Sequence, residues 1–120
     1  MKLLFFCVVF LTALSCSKSI KSNVNGTYIG VFERNGVTSN VALTFTNGQF
    51  SGQSDQDSYP AICSGAYTIS GNTISFENEC GFLANFDHTL ILSDNWSYSY
   101  NNNVLILTKA NGDKYTLTLQ

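Results

Sequence analysis

Charge is scarce in this chain of 120 residues: Asp, Glu, Lys and Arg together make up 12% of it. There is one histidine (His88), one arginine (Arg34), one proline (Pro60) and one tryptophan (Trp96). So few titrating or attacking groups leave little for acid–base or nucleophilic catalysis. Asp87-His88-Thr89 are neighbours in sequence, but adjacent residues of a strand point to opposite faces. His88 shares parity with Leu90 and Leu92 and is expected on their side of the sheet. The acid pairs Glu77/Glu79 and Asp55/Asp57 read as solvated charge rather than as a glycosidase pair or a calcium site. There is no phosphate-cradling glycine loop, no nucleophile elbow and no metal signature. The chain is therefore expected to be no enzyme and to carry no cofactor and no metal. Without a basic cluster, nucleic acid is not an expected partner. Long apolar runs are missing too. The uncharged block Leu3 to Leu14 has 12 residues, whereas a helix spanning a bilayer core needs about 20.

What that block does is set by its flanks. Lys2 precedes it, Ala13 and Ser15 are small, and Cys16 follows. Charge, short apolar core and small residues are the layout of a secretory leader. "LSCSK" at this position resembles the lipobox of bacterial lipoproteins. The resemblance implies that residues 1–15 are removed and that Cys16 takes a diacylglycerol and becomes the first residue. Residues 16–24 then read as the lipidated cysteine and a polar tether. Each buried acyl CH₂ contributes about 0.8 kcal/mol, and two or three chains on one residue make a lasting anchor. Lys18 and Lys21, where surface-exported lipoproteins often carry acids, favour an outer-membrane anchor facing the periplasm. The expected partner is thus the membrane itself, through Cys16.

Loss of Lys2 leaves five basic against eight acidic residues, a formal charge of −3. Cys7 leaves with the leader and Cys16 is taken by lipid. Cys63 and Cys80 remain as a pair in an oxidising compartment, and a disulfide between them is expected. A zinc site lacks the further His and Cys partners it requires.

From residue 25 to 120 short apolar-rich runs alternate with Asn35-Gly36, Asn47-Gly48, Gly71-Asn72, Asn101-Asn102-Asn103 and Asn111-Gly112. Asn and Gly tolerate the positive φ that tight hairpin turns demand. Strands are expected at 26–33, 40–46, 49–53, 62–70, 73–78, 88–94, 96–100, 104–110 and 114–119. Period two is plain in Val41, Leu43 and Phe45, and again in Trp96, Tyr98 and Tyr100. "ECGFLANF" (79–86) is the least strand-like piece, and "DQDSYP" (55–60) reads as a loop. The fold class is all-β: an antiparallel up-and-down meander of eight or nine short strands. Closing it into a small barrel hides the sheet edges. A two-sheet β-sandwich is the competing architecture.

"NGTYIGVF", "LTFTNGQFSG", "GAYTISGNTISF" and "WSYSYNNNVLIL" resemble the hairpins of small lipocalin-like domains over residues 25–119. Tyr28 stands where lipocalins place the tryptophan that plugs the barrel base. The order Gly52, Cys63, Gly65, Tyr67, Cys80 also resembles the META/HslJ-like family of envelope stress proteins. The lipocalin resemblance implies a module for a small, mostly apolar ligand, with Trp96, Tyr98, Tyr100, Phe86 and Tyr59 as its candidate contacts. The same aromatics suit the anchoring of a protein partner, or the filling of the core. A protein-interaction or inhibitor module working through loops 55–60 or 79–86 is the alternative function.

The anchor has a direct check. A Cys16→Ser variant is expected to move from the membrane fraction to the soluble one, read by fractionation and immunoblot.

Overall fold

In the computed structural model, residues 24–120 are described, so the expected leader, Cys16 and the expected tether up to residue 23 lie outside the described residues. Eight strands follow one another: β1 (Gly26–Arg34), β2 (Val37–Thr46), β3 (Gln49–Ser54), β4 (Ser64–Ser70), β5 (Thr73–Asn78), β6 (Asp94–Asn101), β7 (Val104–Thr108) and β8 (Lys114–Leu119). Each pairs antiparallel with the next, and β8 returns to β1 with Tyr28 opposite Leu119 and Glu33 opposite Lys114. The ring is closed, which decides for the barrel against the sandwich.

The tight turns obey the chemistry of their residues. Asn35-Gly36, Asn47-Gly48 and Asn102-Asn103 have positive φ at both central positions, the type I′ pattern whose twist matches that of paired strands. Inside, alternate positions carry Tyr28 and Phe32 from β1, Leu43 and Phe45 from β2, Phe50 from β3, Ile74 and Phe76 from β5, Leu105 and Leu107 from β7, and Tyr115 and Leu117 from β8. All of them are buried. So many rings fit one short barrel because some inward positions are empty of side chain. A Cβ at Gly30 would strike the Thr116 carbonyl, and one at Gly65 the Glu77 carbonyl. Glycine there lets the strands coil sharply enough to close.

The two ends of the barrel differ. The lower end holds Val24, the Asn47-Gly48, Gly71-Asn72 and Asn102-Asn103 turns, and the last strand's exit, where the Gln120 amide donates to the Thr27 carbonyl. Tyr28 closes this end, with its hydroxyl donating to the Val24 carbonyl at 2.9 Å. The upper end holds the Asn35-Gly36 turn and three longer connections, 55–63, 79–93 and 109–113.

The ninth strand expected at 88–94 does not form. Asp87 accepts hydrogen bonds from the Thr89 amide (3.0 Å) and hydroxyl (2.6 Å), which turns His88–Leu90 into a single 3₁₀ turn. Ile91 and Leu92 are then buried consecutively rather than alternately. Ala61 donates to the Leu90 carbonyl and accepts from the Leu92 amide, so two connections meet as a parallel bridge across the upper mouth. The apolar residues of this segment roof the barrel instead of lining its wall. His88, expected to share a face with Leu90 and Leu92, is exposed on the outside of that roof.

Cys63 and Cys80 form the expected disulfide, 17 residues apart, and tie the two roofing connections together beside β4 and β5. Replacing both cysteines by serine is expected to cost about 3 kcal/mol, the chain-entropy value for a loop of this length. For a domain of this size that corresponds to a melting temperature lower by roughly 12–24 °C. Thermal denaturation followed by circular dichroism measures it.

Candidate functional site

The five aromatics singled out from the sequence are not gathered in one place. Trp96, Tyr98 and Tyr100 all face inward along β6, but they are spread over its length. Trp96 packs edge-on against Tyr115 at 5.2 Å in the upper half and donates its indole N–H to the Ser93 carbonyl. Tyr100 lies at the lower end, 6.4 Å from Tyr28, and Tyr98 is between them. Tyr59 belongs to the roof and stands edge-on over Phe32 at 5.6 Å. Phe86 alone is outside, stacked on Phe82 at 5.4 Å in the 79–87 loop.

The interior is a continuous array of rings. Tyr28 meets Phe45, Phe45 meets Tyr67 and Phe76, and Phe76 meets Phe50, all with centroids 5.1–6.2 Å apart. All but the tilted Phe45–Phe76 pair are edge-to-face, and such pairs add about 0.5–1.5 kcal/mol each beyond burial. Burial, followed by the hydrogen bond and nearby charge of Tyr100, raises the Tyr28 phenol well above its usual range. Burial first, then Asp113, does the same to Tyr115. Both therefore remain neutral packing residues with a polar tip. Recesses bounded by the described residues lie on the outer wall. One of about 330 Å³ runs beside Asn95, Ser97 and Thr108, and one of about 220 Å³ has Ile29, Ala42 and Gln53 in its lining.

The upper end is where polar chemistry and exposed apolar surface meet. Arg34, at the end of β1, makes a two-pronged ion pair with Asp113, through Nε to Oδ1 at 2.8 Å and Nη2 to Oδ2 at 2.6 Å. Asp113 is only 2% exposed. The same guanidinium donates to the Thr89 carbonyl at 3.2 Å and lies 3.6 Å from Asp87. One cation thus clamps the β7–β8 turn and the roof to β1. The hydrogen bond to Asp113 is the main reason the Arg34 pKa rises further. Hydrogen bonds from the Thr89 side chain and amide, with Arg34 a smaller cause, hold the Asp87 carboxyl below its usual value. Sequence reasoning missed this clamp. Its only trace was that the one arginine and Asp113 both sit at the ends of expected strands.

From this clamped roof the 79–87 loop projects. The disulfide holds its start, and the Phe82–Phe86 stack and the Asp87 cap hold its return. At its tip Leu83 is 76% exposed, the most exposed large apolar side chain among the described residues. The Leu83 carbonyl accepts from the Phe86 amide and from His88 Nε2, both at 3.0 Å. The tip is therefore a closed turn that offers a side chain, not an extended strand that offers its backbone to a protease cleft. His88 serves this turn, and its recorded partners are the Leu83 carbonyl and the Phe86 ring. Asp55, in the other loop weighed from the sequence, is occupied in bonds from Ser39 and Asn40. Among the described residues no cluster of His, Cys, Asp or Glu is arranged to hold a metal ion. In comparisons with known proteins, no family model, no curated protein and no solved structure matches the chain.

Arg34→Met, which leaves the Asp113 carboxylate buried and unpaired, is expected to destabilise the domain by about 3–5 kcal/mol. Arg34→Met with Asp113→Leu is expected to recover part of that loss, and Leu83→Asp to change stability by less than about 0.5 kcal/mol. Urea denaturation of the four proteins measures all three effects.

Proposed function

We propose that this protein is a lipid-anchored lipoprotein of the bacterial cell envelope, a lipocalin-like barrel that works by contact with a protein partner and catalyses no reaction. The observation that carries the reading is the placement of Leu83. It stands on a braced loop at the upper end of the barrel, whereas the chain enters from the tether at the lower end, at Val24. A tether of residues 16–23 on an outer-membrane lipid, shorter by one than expected because Val24 is buried in the barrel's base, turns the lower end to the bilayer and the upper end toward the periplasm.

The packed interior favours contact over enclosure. A small-molecule site typically needs about 300–1,000 Å³ of concave, mostly apolar space. The positions that line such a space in a ligand-carrying barrel are filled here by Phe45, Tyr28, Phe76 and Trp96. Leu83 with Phe82 and Phe86 has the form of an apolar anchor with an aromatic base, the kind of cluster that dominates the energy of protein interfaces when it enters a partner's pocket. Lipocalin-like describes the eight-stranded order and the plugged base, with Tyr28 in the plug position.

Two measurements test this reading. A photoreactive amino acid at Leu83, in the full-length protein in its own cells, is expected to trap one discrete protein adduct that Thr46, at the lower end, does not. Native mass spectrometry is expected to return the protein without a retained small molecule. A stoichiometric small ligand, or equal trapping at both ends, would overturn it.

A further inference from the structure

The outer wall of the barrel is not uniform. Outward positions on β3, β4, β5 and β6 carry Gln49, Ser51, Thr68, Ser75, Ser97 and Ser99 or residues of similar polarity. The outward aliphatic side chains concentrate instead around the seam where the ring closes. Across that seam Val104 pairs with Thr118, Thr118 with Ile29 and Ile29 with Ala42. In the next row Ile106 pairs with Thr116 and Thr116 with Val31. Ile29 is 46% exposed, while Val31, Val104 and Ile106 are half-buried. The result is a convex, aliphatic-rich face centred on the seam and notched beside Ile29 and Ala42, with Glu33 and Lys114 paired across the seam at its upper margin. Among the described residues neither of these two charges has an ion-pair partner within its own chain.

We propose that this face is the interface of a homodimer, with a second copy of the chain packed on it about a two-fold axis that runs along the β1–β8 seam. An isologous contact places residue i on residue j of the other copy, and j on i. With the axis on the seam, residues of β1 face those of β8, while β2 and β7 curve away at the margins. Glu33 of one copy then meets Lys114 of the other, twice over, and Ile29 meets Thr118. The charge pattern is complementary to itself in this arrangement. Two stacked sheets about 10 Å apart leave room for interdigitated Ile, Val and Thr side chains. A second argument rests on the tether proposed above: an axis along the strands sends both Val24 ends to the same side, so both anchors reach one bilayer. The two roof loops then project together from the other side.

The test uses the full-length protein in its membranes. Ile29→Cys, treated with a short bis-maleimide, is expected to give a cross-linked dimer, and Thr68→Cys on the opposite wall to give none. Glu33→Lys or Lys114→Glu, each built on Ile29→Cys, is expected to lower the cross-linked fraction at least about tenfold, because like charges then face each other. Co-expressed, those two variants are expected to cross-link to one another, since every facing pair is again of opposite sign. That rescue cannot come from repair within one chain. Absence of a dimer, an Ile29→Cys adduct with another protein, or no gain on co-expression would each overturn the proposal. Solubility of the Cys16→Ser variant is read separately, so failure of the anchor and failure of the dimer are distinguishable.

Discussion

The pairing of β1 with β8 is the constraint on which the rest of the structure depends. An open sheet of eight short strands would leave two rows of unpaired amides and carbonyls. Closure removes both rows and fixes the volume inside. That volume must then be filled by whatever the inward positions carry, and here they carry an unusual number of rings. Glycines at Gly30 and Gly65, which a methyl group would push into a neighbouring strand's carbonyl, permit the curvature. Packing and closure are in this sense a single event, since neither is satisfied without the other.

A barrel whose inward positions among the described residues are taken up by packed rings presents its outside and its rims. The rims divide the work. The lower one is made of the shortest turns the chain can form and a tyrosine plug, and the described chain enters there at Val24. The upper one carries the long connections, the disulfide, the arginine clamp and Leu83, the large apolar side chain held furthest out in solvent among the described residues. Loops are tolerant of variation only if the scaffold under them is rigid. The bidentate Arg34–Asp113 pair and the Cys63–Cys80 bond supply that rigidity where a packed core no longer reaches.

Much of this was legible in the residues. Alternation of large and small polar side chains, punctuated by Asn-Gly bends, specifies hairpins with little ambiguity, and six of the seven connections between successive strands leave a mark of that kind or a loop composition. The two cysteines were readable by elimination. The segment 88–94 was not readable, because its period-two apolar pattern is the same whether it lines a wall or covers a mouth. Only the Asp87 side chain, competing for the Thr89 amide, separates the two outcomes. The Arg34 clamp was invisible because it joins residues 79 positions apart at strand ends. The seam face had a trace that went unused. "TYIGVF" and "VLIL" are apolar at both parities, although a strand with one face in water should be apolar at only one.

A ring of antiparallel strands has no first member. The amide of the final residue already bonds to Thr27, so the covalent break between β8 and β1 is a matter of bookkeeping rather than of architecture. Any of the short lower turns is an equally natural place for the chain to open. Growth is different, since a segment appended after β8 emerges at the lower rim, and only the four upper connections leave from the opposite one. Diversification of such a scaffold is therefore channelled into one rim, where extra length costs little entropy and leaves the closed wall untouched.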